Sequence, residues 1–578
     1  MEHFRDADNR IIIEHNLPIH MRDGTILYSN VFRPLDEDKK YPVILNRTPY
    51  CKELFIWGTL DPITAARNGY AVVLQDVRGR FFSQGGFTPF VNEVEDGFDT
   101  IEYLSNAAWS NGRIGSFGLS YSAVTVWAEI ASGHPGLKTA IIYFCTPDNY
   151  EIAYTNGVLN RGIVFSWALG LSINVMQRKE GKIPPDILKA ANEIESMGIG
   201  MPGSEDLFRS PPDCIFNILK EYAPFYFDWI SNQKPEDPYW ENIIYKNLID
   251  HISIPTMHIG GWYDIFTDGT IGGFNMARKK NDNYHKLIMG PWDHTMPHKN
   301  ITGEINFGME ASEMVQQAFF RELNWYDRFL KDIDNKIDAQ DSIDFFLMGK
   351  NKWVSFNQIP GKKDNLIFYL DRHQNLVEAL PPQGKCTIIF DPRDPVPSIG
   401  GRIYWSPAGN PFNSGARDQQ YIECRSDVAV FTSEELGSPI RILGKVKGVI
   451  YASTDANDMD MVLKLTDVYP DGRSINISEN VLRGSLLEYL DQQRLEEGRI
   501  YIFDIDLDYI FIEIAAGHRL RLDISGSSFP SYDMVENIFE GNRACGTKRS
   551  SNTIYFGGDY ASCIIIPLME YDNCRELS

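Results

Sequence analysis

The 578-residue sequence predicts a mixed α/β chain whose first domain is interrupted and whose C-terminal part is built of strands. Three observations carry that expectation. Short apolar runs alternate with helical patterns up to about Tyr143. The alternation then lapses into helix-rich sequence until about Asn242 before resuming. Beyond about Asn351 helical patterns nearly vanish. A chain of this length exceeds what one hydrophobic core can organise, so two to four domains are expected.

In the first stretch, Pro42–Leu45 (PVIL) and Ala71–Leu74 (AVVL) have the unbroken apolar character of strands buried on both faces. Glu93–Leu104 spaces its apolar residues helically, and Arg113–Phe117 leads as a further strand into a Gly/Ser-rich turn. Strand–helix alternation implies βαβ units around a parallel sheet. Between Cys145 and Asn242 helical segments such as Ile163–Val175 and Ile187–Met197 are joined by Pro- and Gly-rich connections, which predicts a helical insertion. Strands return at Ile254–Ile259 and Lys286–Met289, and a helix is expected over Glu313–Leu330. The β-rich part is marked by alternating runs at Ile440–Tyr451, Met459–Thr466, Tyr501–Ile505 and His518–Ile524, with turn signals at Asp455, Pro470 and Gly526. That pattern predicts an antiparallel β-sandwich. The expected division is 1–146 and 244–349 for the two parts of the α/β core, 147–243 for the inserted cap and 350–578 for the sandwich.

Composition narrows the function classes. A net charge of −23 and a pI near 5.0 argue against nucleic-acid or anionic-membrane partners. The cysteines show neither CxxC pairs nor regular spacing, so neither a zinc site nor a disulfide framework is expected. The first residues lack an apolar segment behind a basic start, and no run approaches eighteen apolar residues. A cytoplasmic protein without a membrane span is the expectation, and a homo-oligomer remains open.

The chemistry is concentrated at Gly115–Ala123 (GSFGLSYSA), between a strand pattern and a helix pattern. This is the setting in which an α/β-hydrolase exposes a nucleophilic serine on a sharp turn, and it nominates Ser120. Ser122 stands where the strict motif has glycine, so the string is weak alone and its partners decide. A serine hydroxyl needs a histidine base, and the histidine needs a carboxylate to fix its tautomer. In this fold the order is Ser, then Asp or Glu, then His, on loops after late strands. Asp264 follows the strand ending at Ile259, and His294 follows the strand ending at Met289. Asp293 and Asp268 compete for the acid role. An oxyanion site needs donors aimed at developing charge. The Tyr121 backbone N–H is one, and Asn46–Tyr50 lies where the second should arise, its Tyr50 hydroxyl being either that donor or part of a packed turn.

Taken together, Arg47–Tyr50 (RTPY), Asp76–Arg80 (DVRGR) with Ser83–Gly86 (SQGG), Asp96–Thr100 (DGFDT), Gly118–Ala123 (GLSYSA), Gly261–Asp264 (GWYD) and Gly290–His294 (GPWDH) resemble the cocaine esterase-like, or CocE/NonD, hydrolases. In the β-rich part Asp391–Gly401, Leu465–Gly472 and Gly517–Ser527 extend the likeness over nearly the whole chain. The family is related to X-Pro dipeptidyl-peptidases, α-amino-acid ester hydrolases and glutaryl-cephalosporin acylases. The resemblance implies an α/β-hydrolase core, an inserted helical cap and a C-terminal jelly roll. It implies Ser120 as nucleophile, His294 as base, Asp264 as its orienter, and Tyr50 with Tyr121 as the oxyanion site. Phe266 and Trp167 match aromatic positions of the esterase pocket. Ala123 departs from the family's glycine by one methyl. No metal or organic cofactor is implied. Asp76 and Arg78 read as a structural pair that fixes a loop.

The expected activity is hydrolysis of a small or aromatic ester through an acyl-enzyme. Amide-directed acylase or peptidase work comes second, because no carboxylate cluster for a substrate ammonium is identifiable; Glu151 and Asp148 have no assignable place. An acyltransferase or cyclase comes third, and a non-enzymatic carbohydrate-binding protein last.

Overall fold

The computed structural model describes residues 2–5, 10–36, 38–54, 60–196, 211–249, 252–280, 283–295, 297–361, 363–404, 414–487, 494–540, 543–569 and 575–576. Its first part is a large sheet. Strands β1 (Ile11–His20) and β2 (Ile26–Pro34) form an antiparallel pair, and β2 runs antiparallel to β4 (Ala71–Asp76). From there the order is β4, β3 (Tyr41–Thr48), β5 (Ser110–Leu119), β6 (Leu137–Tyr143), β7 (Thr256–Tyr263), β8 (His285–Asp293) and β9 (Ile343–Leu347), all parallel. Antiparallel β10 (Lys352–Phe356) follows. Every residue of β4, β7 and β8 is buried, which is why their sequences read as nearly continuous apolar runs. The helices α1 (Glu93–Asn106) and α2 (Tyr121–Ser132) pack on one another beside β5.

The strand order places the site. After β3 the chain crosses to β4 on one side and then returns to β5 on the other, so the loops after β3 and β5 leave a crevice between them. Ser120 follows β5 and Tyr50 follows β3.

Between β6 and β7 stands a group of helices led by α3 (Arg161–Glu180), which packs on the helix Asp213–Tyr222. Gly181, in the left-handed region at φ 74°, closes α3, as a glycine after a helix commonly does. The helix expected over Ile187–Met197 is Pro185–Ser196; Met197 lies outside the described residues. The helix expected over Glu313–Leu330 is two, Glu313–Gln316 and Ala318–Leu330, because Gln317 turns left-handed (φ 46°) and the Glu313 side chain accepts the Ala318 N–H at 2.9 Å, capping the second helix. The run Ile440–Tyr451 likewise divides into Ile440–Gly444 and Lys447–Thr454, with Gly444 at φ 122° ending the first.

The C-terminal part is β-rich and almost wholly antiparallel. Of its central strands, Lys447–Thr454, Arg519–Ser525 and Ser550–Phe556 alternate buried with part-buried residues along much of their length, and Asp460–Val468 is buried throughout. It shares one apolar core with the first part: Phe511 meets Phe345 and Phe356 with ring centroids 6.1 Å from each. No helix among the described residues is long and apolar enough to cross a membrane.

Candidate active site

Ser120 sits between β5 and α2 with φ 57° and ψ −125°, a conformation an L-residue adopts only when its surroundings force it. The turn closes because Gly118 has no side chain: a Cβ there would stand 2.0 Å from the Ser122 carbonyl oxygen. The Ala123 and Val124 N–H groups donate to the Ser120 carbonyl at 2.8 and 3.0 Å and start the helix. Ser122 is buried in that first turn, so the departure from a strict glycine is absorbed by packing.

His294 and Asp264 follow neighbouring strands. The parallel register of β7 and β8 slips after Gly261, so that Tyr263 pairs with Asp293 and the two loops emerge side by side. His294 Nδ1 lies 2.6 Å from Asp264 Oδ1, and its Nε2 lies 2.9 Å from Ser120 Oγ. A carboxylate accepts, so Nδ1 carries the proton and Nε2 is left to accept from the serine hydroxyl. Asp264 is fully buried, and its other oxygen accepts the Phe266 N–H at 2.9 Å. The imidazole is edged by Tyr404, Phe266 and Phe144, with ring centroids 4.9, 5.3 and 6.0 Å away, which strips water from it.

The rival acids are engaged elsewhere. Asp293 accepts from Lys299 at 2.6 Å and from Ser414 of the C-terminal part at 2.7 Å, tying the histidine loop down. Asp268 accepts from the Tyr509 N–H at 2.9 Å and pairs with Lys445 and Arg402.

Tyr50 stands on a turn in which its N–H donates to Thr48 Oγ1 at 3.1 Å. Arg80 Nε–H donates to the Pro49 carbonyl at 2.9 Å, and the Lys52 N–H donates to Asp76 at 2.8 Å, so the end of β4 grips this turn on both sides. Asp76 and Arg78 are not a pair, contrary to the sequence reading. Arg78 forks onto Asp96 and reaches Asp23, each at 2.6 Å, while Asp76 meets Lys52. Burial pushes the Tyr50 hydroxyl well above the usual phenol range, so it is a proton donor at any ordinary pH. The Tyr121 hydroxyl is engaged away from Ser120, donating to Glu93 at 3.1 Å and accepting the Phe90 N–H at 3.0 Å.

Ser120, His294, Tyr50, Tyr121, Phe266 and Trp167 all line one small cavity of about 50 Å³. Sequence reasoning missed Phe90, Trp229 and Tyr404 among its walls. Tyr404 alone had a signal, since it stands three residues beyond Asp391–Gly401, one of the recognised strings. Glu151, unplaced by the sequence, lines an adjoining hollow with Asp508 and meets the cavity at Ile152, Ile163, Phe266 and Tyr404, whereas Asp148 pairs with Lys246.

Known proteins resemble the chain over both of its parts. The X-Pro dipeptidyl-peptidase (S15 family) model matches residues 23–296, and that of the X-Pro dipeptidyl-peptidase C-terminal non-catalytic domain matches 335–565. Cocaine esterase of Rhodococcus sp. (strain MB1 Bresler) is 29% identical, the alignment spanning 98% of this chain and 100% of the esterase. Two solved structures share the fold: an α-amino acid ester hydrolase (TM-score 0.81, 22% identity, 98% of each chain) and an aminopeptidase from a marine sediment Thaumarchaeota archaeon (TM-score 0.80, 21% identity, 97% of each chain).

Proposed function

From a chain that carries both domains of the X-Pro dipeptidyl-peptidase (S15) family and is a homologue of cocaine esterase, we propose a serine hydrolase that cleaves esters of apolar acids through an acyl-enzyme on Ser120. The observation that carries this reading is the continuous chain from Asp264 through His294 to the Ser120 hydroxyl at 2.6 and 2.9 Å, with Tyr50 beside it.

Ser120 Oγ attacks the ester carbonyl carbon while His294 Nε2 takes its proton. The carbonyl electron pair collects on oxygen, where the Tyr50 hydroxyl and the Tyr121 N–H meet it; one such donor is worth about 3 kcal/mol. Collapse breaks the bond to the alcohol oxygen, which leaves with the proton from His294. Water then gives a proton to the same nitrogen as it attacks the acyl carbon, and release of the acid restores Ser120. Apart from the reacting groups the cavity is walled by aromatic and aliphatic side chains, which suits an apolar acyl group. Hydrolysis of amides has one observation in its favour: Glu151 and Asp508 in the adjoining hollow are where a substrate ammonium would be met.

Matched p-nitrophenyl esters and amino-acid p-nitroanilides, assayed side by side, distinguish the two. Esters of apolar acids are expected to turn over faster, and Ser120→Ala is expected to lose at least about 10³-fold in kcat together with fluorophosphonate labelling. Ester hydrolysis that survives Ser120→Ala would overturn the assignment of the nucleophile.

A further inference from the structure

The Trp167 indole N–H donates to the Tyr50 hydroxyl oxygen at 3.0 Å. An indole nitrogen donates and never accepts, so this bond has only one direction. The Tyr50 oxygen is the acceptor there, and its own proton must point elsewhere. The cavity that the Tyr50 hydroxyl shares with Ser120 lies on its open side.

Trp167 is itself held in place. It stacks between Tyr121 and Trp229, both with ring centroids 5.8 Å away and interplanar angles of 21° and 11°. It lies on α3, and that helix grips the Tyr50 turn a second time. Arg80 joins the Pro49 carbonyl to Asn174 Oδ1 with bonds of 2.9 Å each. Asn174 is two helical turns beyond Trp167 and therefore on the same face of α3. One face of an inserted helix thus reaches both the backbone before Tyr50 and the oxygen at the tip of its side chain.

We infer that Trp167 is a positioning residue of the oxyanion site. Its indole N–H aims the Tyr50 O–H at the reaction centre, which makes α3 a working part of the site as well as a wall of the cavity. This rests on Tyr50 being an oxyanion donor in the acyl-enzyme reaction proposed above.

The test is a double-mutant cycle read in kcat and KM with a p-nitrophenyl ester. Trp167→Phe keeps an aromatic ring and removes the N–H. It is expected to lower kcat about tenfold with KM within about twofold, and to change kcat less than about twofold when combined with Tyr50→Phe. Trp167→3-benzothienylalanine preserves the shape of the indole without its N–H and is expected to match Trp167→Phe; it decides the matter if the phenylalanine variant does not fold. Equal losses with native Tyr50 and in the Tyr50→Phe background, or an effect on KM alone, would overturn the inference and leave Trp167 a lining residue. Full kcat in Tyr50→Phe overturns both this inference and the oxyanion role of Tyr50, whereas activity in Ser120→Ala sinks the nucleophile assignment by itself.

Discussion

Beneath Ser120 lies a buried set of charges in which two carboxylates face one guanidinium. Arg47 is fully buried, bonded to Glu93 at 2.8 Å and to Gln75 at 3.0 Å, with Glu129 of α2 at 3.9 Å. Glu93 holds the direct ion pair and also accepts from Tyr121, so the proton belongs to Glu129, whose carboxyl burial pushes up to about 7. An unfolded glutamate titrates near 4.3, so between there and about pH 7 this group keeps in the folded chain a proton that it loses in the unfolded one. This group therefore adds its full stabilising effect at low pH and loses it as pH rises through that window. Glu129→Gln keeps the shape without the ionisation. It is expected to raise Tm over the native chain at pH 8 and to leave it unchanged near pH 4.5, measured by differential scanning calorimetry at both. An equal shift at the two pH values would show that Glu129 is not protonated in the fold. At this scale the sequence was most legible where chemistry depends on order along the chain. Ser120, Asp264 and His294 stand in the expected succession after strands, and the elimination of Asp293 and Asp268 follows from their partners Lys299 and Lys445. The Arg47 network was not legible, because Glu93 and Glu129 sit on helices separated in sequence and meet only after α1 and α2 pack.

The element that turns these residues into a site is the strand–turn–helix at Leu119–Tyr121. Its strain at Ser120 is sustained by the close approach of Gly118 to the Ser122 carbonyl. Gly118→Ala must open that turn. Overpacking typically costs about 1–3 kcal/mol, and a displacement of the proposed nucleophile by about 1 Å costs on the order of 10²-fold in rate. A lower Tm and a fall of at least tenfold in kcat/KM are expected. Gly86 is the control: an added Cβ there meets no atom within 4 Å, and its φ needs no glycine, so Gly86→Ala should leave both quantities unchanged. Loss of activity in Gly86→Ala, or full activity in Gly118→Ala, would contradict this account of the turn. Strands buried on both faces were legible as apolar runs. The break at Gln317 was not, because nothing local marks it; the Glu313 side chain that caps the second helix also satisfies every helical spacing rule for continuing the first. Asp76 and Arg78 show the same limit, since proximity in sequence at a strand end said nothing about which partner each side chain meets, Lys52 for the one and Asp96 with Asp23 for the other.

At the scale of the whole molecule, the C-terminal part is joined to the first part by core as well as by surface. Phe511 is fully buried against Phe345 and Phe356, and the Met348 N–H donates to its carbonyl at 3.1 Å while the Glu513 N–H returns a bond of 2.9 Å to Met348. Arg402 donates to the Trp262 carbonyl at 3.1 Å, next to the strand end that bears Asp264, and Tyr404 then edges His294. Domains within a chain ordinarily meet through polar surfaces and melt separately. A shared apolar core predicts the opposite: one transition, with esterase activity, tryptophan fluorescence and far-ultraviolet circular dichroism lost together. Phe511→Ala removes a whole buried ring from that shared core, and deletions of this kind cost about 3–5 kcal/mol. The loss should lower the midpoint for all three signals equally, although Phe511 touches no reacting group. Two resolved transitions, with activity surviving the first, would instead mean that the β-rich part stabilises itself and lends only the Tyr404 loop to the site.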